Sequence, residues 1–194
     1  MHLVDRLKEK DEHALIEVMN TYGDYLLRTA YLLVKDHHTA EEAVQDTFIT
    51  AFEKIHQLED EQKLKSWLTT IVINRCRAQM RKWSWKNIFT TYDVFERIKE
   101  NEPAQSPEDF ILKMAQNEKI SDAILQLDYK YREVITLFYF NDMKIKEIAR
   151  HIQSYENTVK SRLKRARILL KQIVMKGDVL YDEENNIIEK PTQS

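Results

Sequence analysis

Between Thr158 and Lys171 the chain sorts its polar side chains onto two faces of a helical wheel. Thr158, Ser161, Arg162 and Arg165 share one, and Lys160, Lys164, Arg167 and Lys171 the other. Arginine forks and short hydroxyls hydrogen-bond base edges in a DNA major groove, and lysines suit phosphates. The chemistry on offer is recognition of a polyanion. A second cationic run, Arg75, Arg77, Arg81, Lys82 and Lys86, occupies residues 74–86 with no acid, a net of +5.

Bond-making chemistry finds little support. No Ser/His/Asp or Cys/His set stands out, and Cys76, the only cysteine, falls on an apolar helical stripe and reads as core. One cysteine excludes an intramolecular disulfide and a cysteine-based zinc site. His37, His38, Glu41 and Glu42 offer metal ligands at helical spacing, with His13 and Asp24 as remote additions. The better reading is a polar helix start with Thr39 as its N-cap. No metal, cofactor or small-molecule substrate is expected, and the chain reads as a non-enzyme.

These side chains need helices to carry them. Among 194 residues there are two glycines, Gly23 and Gly177, and three prolines. Phosphate-cradling loops and tight hairpins need clustered glycines, so a Rossmann fingerprint, a P-loop and most β-sandwiches are excluded. An all-α protein remains. Apolar residues recur at spacings of three and four and predict helices over 10–34 (broken near Gly23), 39–57, 63–86, 107–126, 129–141, 144–152 and 155–176. Pro103 and Pro107 interrupt two long proline-free tracts. Two small helical domains follow, 1–88 and 108–176, joined by a flexible linker over 89–107, with an acidic, disordered tail over 177–194. No apolar run approaches the roughly 18 residues of a membrane span. The N-terminus has no apolar signal core, and a cytoplasmic protein is expected.

The formal net charge is −2, yet it is a cancellation. Residues 36–62 carry eight acids against Lys54, a net of −7, and residues 153–176 a net of +6. Segregated blocks of this kind cost self-repulsion and point to partners. The stretch Met143–Arg167 has helix-turn-helix spacing: Ile145, Ile148, Ala149 and Ile152 face inward, a tight turn follows at 153–156, and Val159, Leu163 and Ala166 form the second inward stripe. A plain basic hairpin and a membrane-surface helix are weaker readings, since the second helix has no Trp or Phe on its apolar face.

At this point Thr158-Val-Lys-Ser-Arg-Leu-Lys-Arg-Ala-Arg167 resembles the recognition helix of bacterial RNA polymerase sigma factors of the extracytoplasmic-function type, in the sigma-70 family. Lys146-Glu-Ile-Ala-Arg150 and Tyr131-Arg-Glu-Val-Ile-Thr-Leu137 resemble the preceding helices. Ala40-Glu-Glu-Ala-Val-Gln-Asp-Thr-Phe-Ile49 is similar to the family's core-binding segment, and Lys65-Ser-Trp-Leu-Thr-Thr-Ile-Val-Ile-Asn74 to its minus-ten helix. The resemblance spans residues 10–176.

That resemblance implies a region-2-like domain and a region-4-like domain. It implies that Glu41, Glu42, Gln45 and Asp46 bind core polymerase (β′ and β subunits), that Asn74, Arg75, Arg77, Arg81 and Lys82 meet minus-ten DNA, and that Thr158, Lys160, Ser161, Arg162, Lys164 and Arg165 meet the minus-thirty-five element. The partners implied are polymerase core, promoter DNA and an anti-sigma factor, often membrane-bound, for a stress- or envelope-responsive gene set. A stand-alone helix-turn-helix regulator with an N-terminal sensor or dimerisation domain is the alternative, and it leaves the basic run at 74–86 without a purpose. Three departures stand out. Gln153 and Asn157 occupy positions where the family has glycine, and Ala78 replaces its aspartate.

Overall fold

The computed structural model describes residues 3–86 and 118–186, with side chains placed over 3–82 and 120–175. The expected linker, and the start of the helix expected at 107, lie outside them. The chain divides into two compact units, Met1–Asn101 and Glu102–Ser194. Among the described residues there is no strand.

The first unit holds α1 (Leu3–Lys8), α2 (Glu12–Val34), α3 (His37–Lys54) and α4 (Leu64–Lys86), with 3₁₀ turns at Ile55–Gln57 and Glu61–Lys63. The helix α1 was not expected. It buries Val4 and Leu7 against α2 and the first 3₁₀ turn. Arg6 ties it down: Nε donates to Asp11 at 2.8 Å and Nη1 to Glu17 at 2.9 Å. Asp11 also caps α2 by accepting from the His13 N–H at 2.9 Å.

Two expectations are corrected here. The helix α2 runs unbroken through Gly23, because a mid-helix glycine costs only about 1 kcal/mol against alanine. Val18 and Leu26, buried on either side, supply more than that. The break comes instead at Lys35, which takes the left-handed conformation (φ 64) and donates its N–H to Tyr31 at 2.8 Å. The N-cap of α3 is Asp36, not Thr39. Its carboxylate accepts from the Thr39 N–H at 2.8 Å and the Thr39 hydroxyl at 2.6 Å. The helices α2, α3 and α4 pack on one another around Leu26, Leu33, Phe48, Leu68, Ile73 and Cys76.

The second unit holds α5 (Glu118–Gln126), α6 (Tyr129–Ile135), α7 (Ile145–His151) and α8 (Glu156–Asn186). A π turn, Thr136–Phe140, continues α6, with the Asn141 N–H donating to Thr136 five residues back at 3.2 Å. Beneath it Arg132 is only 3% exposed. Its Nη1 donates to the Leu127 carbonyl at 2.7 Å, and burial pushes the guanidinium down to about 10. The helix α8 lays Val159, Leu163, Ala166, Leu170 and Val174 against α5, α6 and α7, a stripe spaced by three and four. It continues past Gly177 to Asn186, where a disordered tail was expected. One glycine and an acidic composition lower helix stability without ending a helix already nucleated for about six turns.

Candidate nucleic-acid and polymerase interfaces

The turn between α7 and α8 sets what the second unit presents. Ile152 closes α7 by donating its N–H to Ile148 at 2.9 Å. Gln153 then takes the left-handed conformation at φ 52, with its N–H on the Arg150 carbonyl at 3.2 Å and the Ser154 N–H on Ala149 at 2.9 Å. The turn therefore keeps a glycine-type geometry although its residue is glutamine. Asn157, by contrast, needs no left-handed tolerance, since it lies in the first turn of α8. Ala149, 6% exposed, packs α7 closely onto α8.

On the outer side of α8, Lys160, Ser161 and Lys164 are exposed, and Thr158, Arg162 and Arg165 half-exposed. The side chains of Lys160, Arg162, Lys164 and Arg165 make no hydrogen bond or ion pair among the described residues. Four cations within six residues, with no ion-pair partner among the described residues, leave a face suited to a polyanion. Arg167 does not join the phosphate-facing set as expected. Its Nε donates to the Tyr139 hydroxyl at 2.8 Å, and its guanidinium lies over the Phe138 and Tyr139 rings. An arginine that stacks on aromatics in its own domain is holding α8 to the π turn.

In the first unit Glu41, Glu42, Gln45 and Asp46 are all exposed along α3. His37 Nδ1 lies 3.2 Å from Glu41 and His38 Nε2 3.5 Å from Glu42, so the histidines face these acids one turn on. No group of three or more His, Cys, Asp or Glu side chains converges as metal ligands among the described residues.

Beside this acidic face runs a groove of about 750 Å³ between α2 and α3, lined by Leu15, Met19, Leu27, Phe48, Ile49 and Phe52, with Glu41, Gln45 and Glu53 at its edge. Met19 and Ile49 are 44% and 50% exposed. Gly23 lies in its wall, where an added Cβ would meet nothing within 4 Å. Sequence reading missed this apolar strip, because Met19 and Ile49 fall off the core stripe and carry no pattern of their own.

The side chains of α4 divide. Asn74, Arg81 and Lys82 are exposed and Arg77 half-exposed. Arg75, also exposed, makes contacts across to α3: Nη2 donates to the Thr50 hydroxyl at 2.8 Å, and Nη1 lies 3.7 Å from Asp46. The structure thus joins two residues that sequence reading assigned to different partners. Asp60, one of the acids in the loop before α4, accepts from the Gln62 N–H at 3.0 Å and pairs with Lys63 at 3.3 Å. Its charge serves the 3₁₀ turn. Trp67 is half-buried.

The family model for sigma-70 region 2 matches residues 18–86, and the one for sigma-70 region 4 matches residues 117–170. The extracytoplasmic-function sigma factor SigM of Bacillus subtilis is 30% identical over 161 residues, covering 83% of this chain and 95% of the relative. The chain belongs to the sigma-70 family, among its extracytoplasmic-function sigma factors.

SigW of the same organism, 26% identical over 174 residues, covers 87% of this chain and 93% of the relative. The solved structure of RpoE from Bartonella quintana, in complex with the anti-sigma factor NepR, superposes with a TM-score of 0.56 at 25% identity, covering 82% of this chain and 97% of RpoE. CnrH, solved with the cytosolic domain of CnrY, shares the fold with a TM-score of 0.57 at 21% identity, covering 90% and 96%. This sigma factor directs transcription initiation. The regulator alternative is set aside, because its N-terminal unit is region 2.

Proposed function

We propose a division of labour for this sigma factor in which each charged face takes one partner. Glu41, Glu42, Gln45 and Asp46, with the apolar groove beside them, dock on the core polymerase through β′, while β completes the core assembly. Asn74, Arg75, Arg77, Arg81 and Lys82 engage the minus-ten region as it melts. Thr158, Ser161, Arg162 and Arg165 read the minus-thirty-five duplex while Lys160 and Lys164 hold phosphates. The observation that carries the reading is the unneutralised cationic face of α8, fixed behind a turn held by backbone hydrogen bonds. The protein makes and breaks no bonds. Its binding energy selects promoters and holds open DNA.

An anti-sigma factor holds this protein inactive until a stress or envelope signal releases it. The solved complex of RpoE with an anti-sigma factor supports this, and so does the exposed apolar strip on region 2. Action in the cytoplasm follows from the partners, and no helix among the described residues is long and apolar enough to cross a membrane.

Reconstitution with bacterial core polymerase tests the reading. The full chain should co-elute with core and direct run-off transcription from genomic promoters. Failure of both overturns it. The doubly reversed variant Glu41→Lys, Asp46→Lys should fold normally, since both side chains are exposed, and should lose polymerase binding. Unchanged affinity removes α3 from the docking surface.

A further inference from the structure

Among the described residues Tyr155 is the most exposed of the large hydrophobic side chains, at 84%. It stands immediately before α8, and its carbonyl accepts from the Thr158 and Val159 N–H groups at 3.0 and 3.2 Å. It therefore occupies the N-cap. That position favours Ser, Thr, Asp or Asn, whose short side chains bond the free N–H groups of the first turn. A tyrosine cannot do so, and it also leaves an aromatic ring in water. Neither helix formation nor packing accounts for this residue. Locally unfavourable choices of this kind concentrate at functional positions.

The backbone that carries the ring is also held in place. The backbone bonds of Gln153 and Ser154 fix the turn before any DNA arrives. A tyrosine has only two side-chain torsions, so little freedom is lost on contact. In helix-turn-helix proteins the first residues of the second helix are the ones that reach base edges in the major groove.

We propose that Tyr155 is a promoter-specificity residue that reads a thymine 5-methyl group within the minus-thirty-five element. The inference rests on the assignment of α8 to that element. The apolar face of the ring matches the one apolar group that a base pair shows in the major groove. Phosphate contact is the lesser use of this side chain, because Lys160 and Lys164 already stand exposed on the same helix.

The test uses holoenzyme reconstituted with core polymerase and a promoter pool randomised over the minus-thirty-five element. Wild type and Tyr155→Phe should enrich thymine at one position by about fourfold, the factor that burying one methyl-sized group supplies. Tyr155→Ser, which restores a capping side chain, should lose that enrichment while it keeps core binding. Deoxyuridine at that position, which removes only the methyl, should lower wild-type selection and leave Tyr155→Ser unaffected. An unchanged profile in Tyr155→Ser overturns the inference. So does a uniform loss across all sequences in both variants, the signature of a phosphate contact. If Arg162→Ala also leaves the profile unchanged, the assignment of α8 falls, and this inference falls with it. If Arg162→Ala alters the profile and Tyr155→Ser does not, Tyr155 alone is rejected.

Discussion

Gln153 pays a conformational penalty that a single substitution can remove. At φ 52 its backbone sits in the left-handed region, which costs a residue with a Cβ roughly 1–2 kcal/mol. Glycine removes that strain but gives the unfolded chain extra freedom, worth about 0.4–1 kcal/mol. Gln153 is exposed, so no packing is lost, and glycine keeps the N–H that donates to Arg150. Gln153→Gly should thus stabilise the second unit by about 0.8 kcal/mol, the difference between the middle values of the two terms. Tryptophan fluorescence will not see the change, since Trp67, Trp83 and Trp85 all precede residue 102. Hydrogen exchange of the α7 and α8 amides will. Protection at Ile148, Val159 and Leu163 should rise about two- to fivefold if these amides exchange by opening of the unit. Gln153→Asn should fall between glutamine and glycine, and Gln153→Val, β-branched, should be worse than wild type. Equal protection in the Gly, Gln and Val proteins would refute the assignment of strain to this turn.

Four further outcomes are expected. Arg162→Ala should cost selectivity at one base position by about tenfold, within the 1–3 kcal/mol of a bidentate contact. Lys164→Ala should weaken DNA binding evenly and lower the salt slope by about 0.9, and the two patterns are separable in salt titrations over several promoters. Cys76, wholly buried, has its thiol pushed up to about 12 by desolvation. A thiol reagent at pH 8 should label it only as fast as the first unit opens, and prompt labelling of the native protein would contradict the packing. Asp36 is held below the usual carboxylate range, chiefly by the Thr39 hydroxyl and then by the Thr39 N–H. Its contribution to α3 is present above the unfolded carboxylate value and lost as pH falls through the lower folded value. The stability gap between wild type and Asp36→Asn should therefore close in acid, and a gap independent of pH would reject the cap as a charged one.

Most helices were legible, because spacings of three and four survive any reasonable placement of the chain. The second unit's stripe, Val159, Leu163 and Ala166, is buried as the spacing requires. What escaped was of two kinds. Helix ends depend on single residues: Asp36 lay one turn before Thr39 and outside the apolar pattern, and Lys35 has no sequence signature for the left-handed conformation. Partnerships across helices depend on the fold itself. Nothing in the order of residues brings Arg75 to Thr50 and Asp46, or Arg167 to Tyr139, 28 positions away. The exposure of Tyr155 was equally hidden, since an aromatic beside a turn usually reads as core.

The bridge between Arg75 and Asp46 has a thermodynamic consequence. One end faces the proposed polymerase surface and the other the proposed DNA surface, so engaging either partner disturbs a charge the other will meet. Such linkage is reciprocal: the factor by which polymerase alters DNA affinity through this pair equals the factor by which DNA alters polymerase affinity. Its size is bounded by the geometry. Both side chains are about half-exposed and 3.7 Å apart, and a pair of that kind is worth about 0–1 kcal/mol. The communication it carries is therefore no more than about fivefold. Any stronger dependence of promoter binding on core polymerase has to be carried by rearrangements larger than the loss of one ion pair.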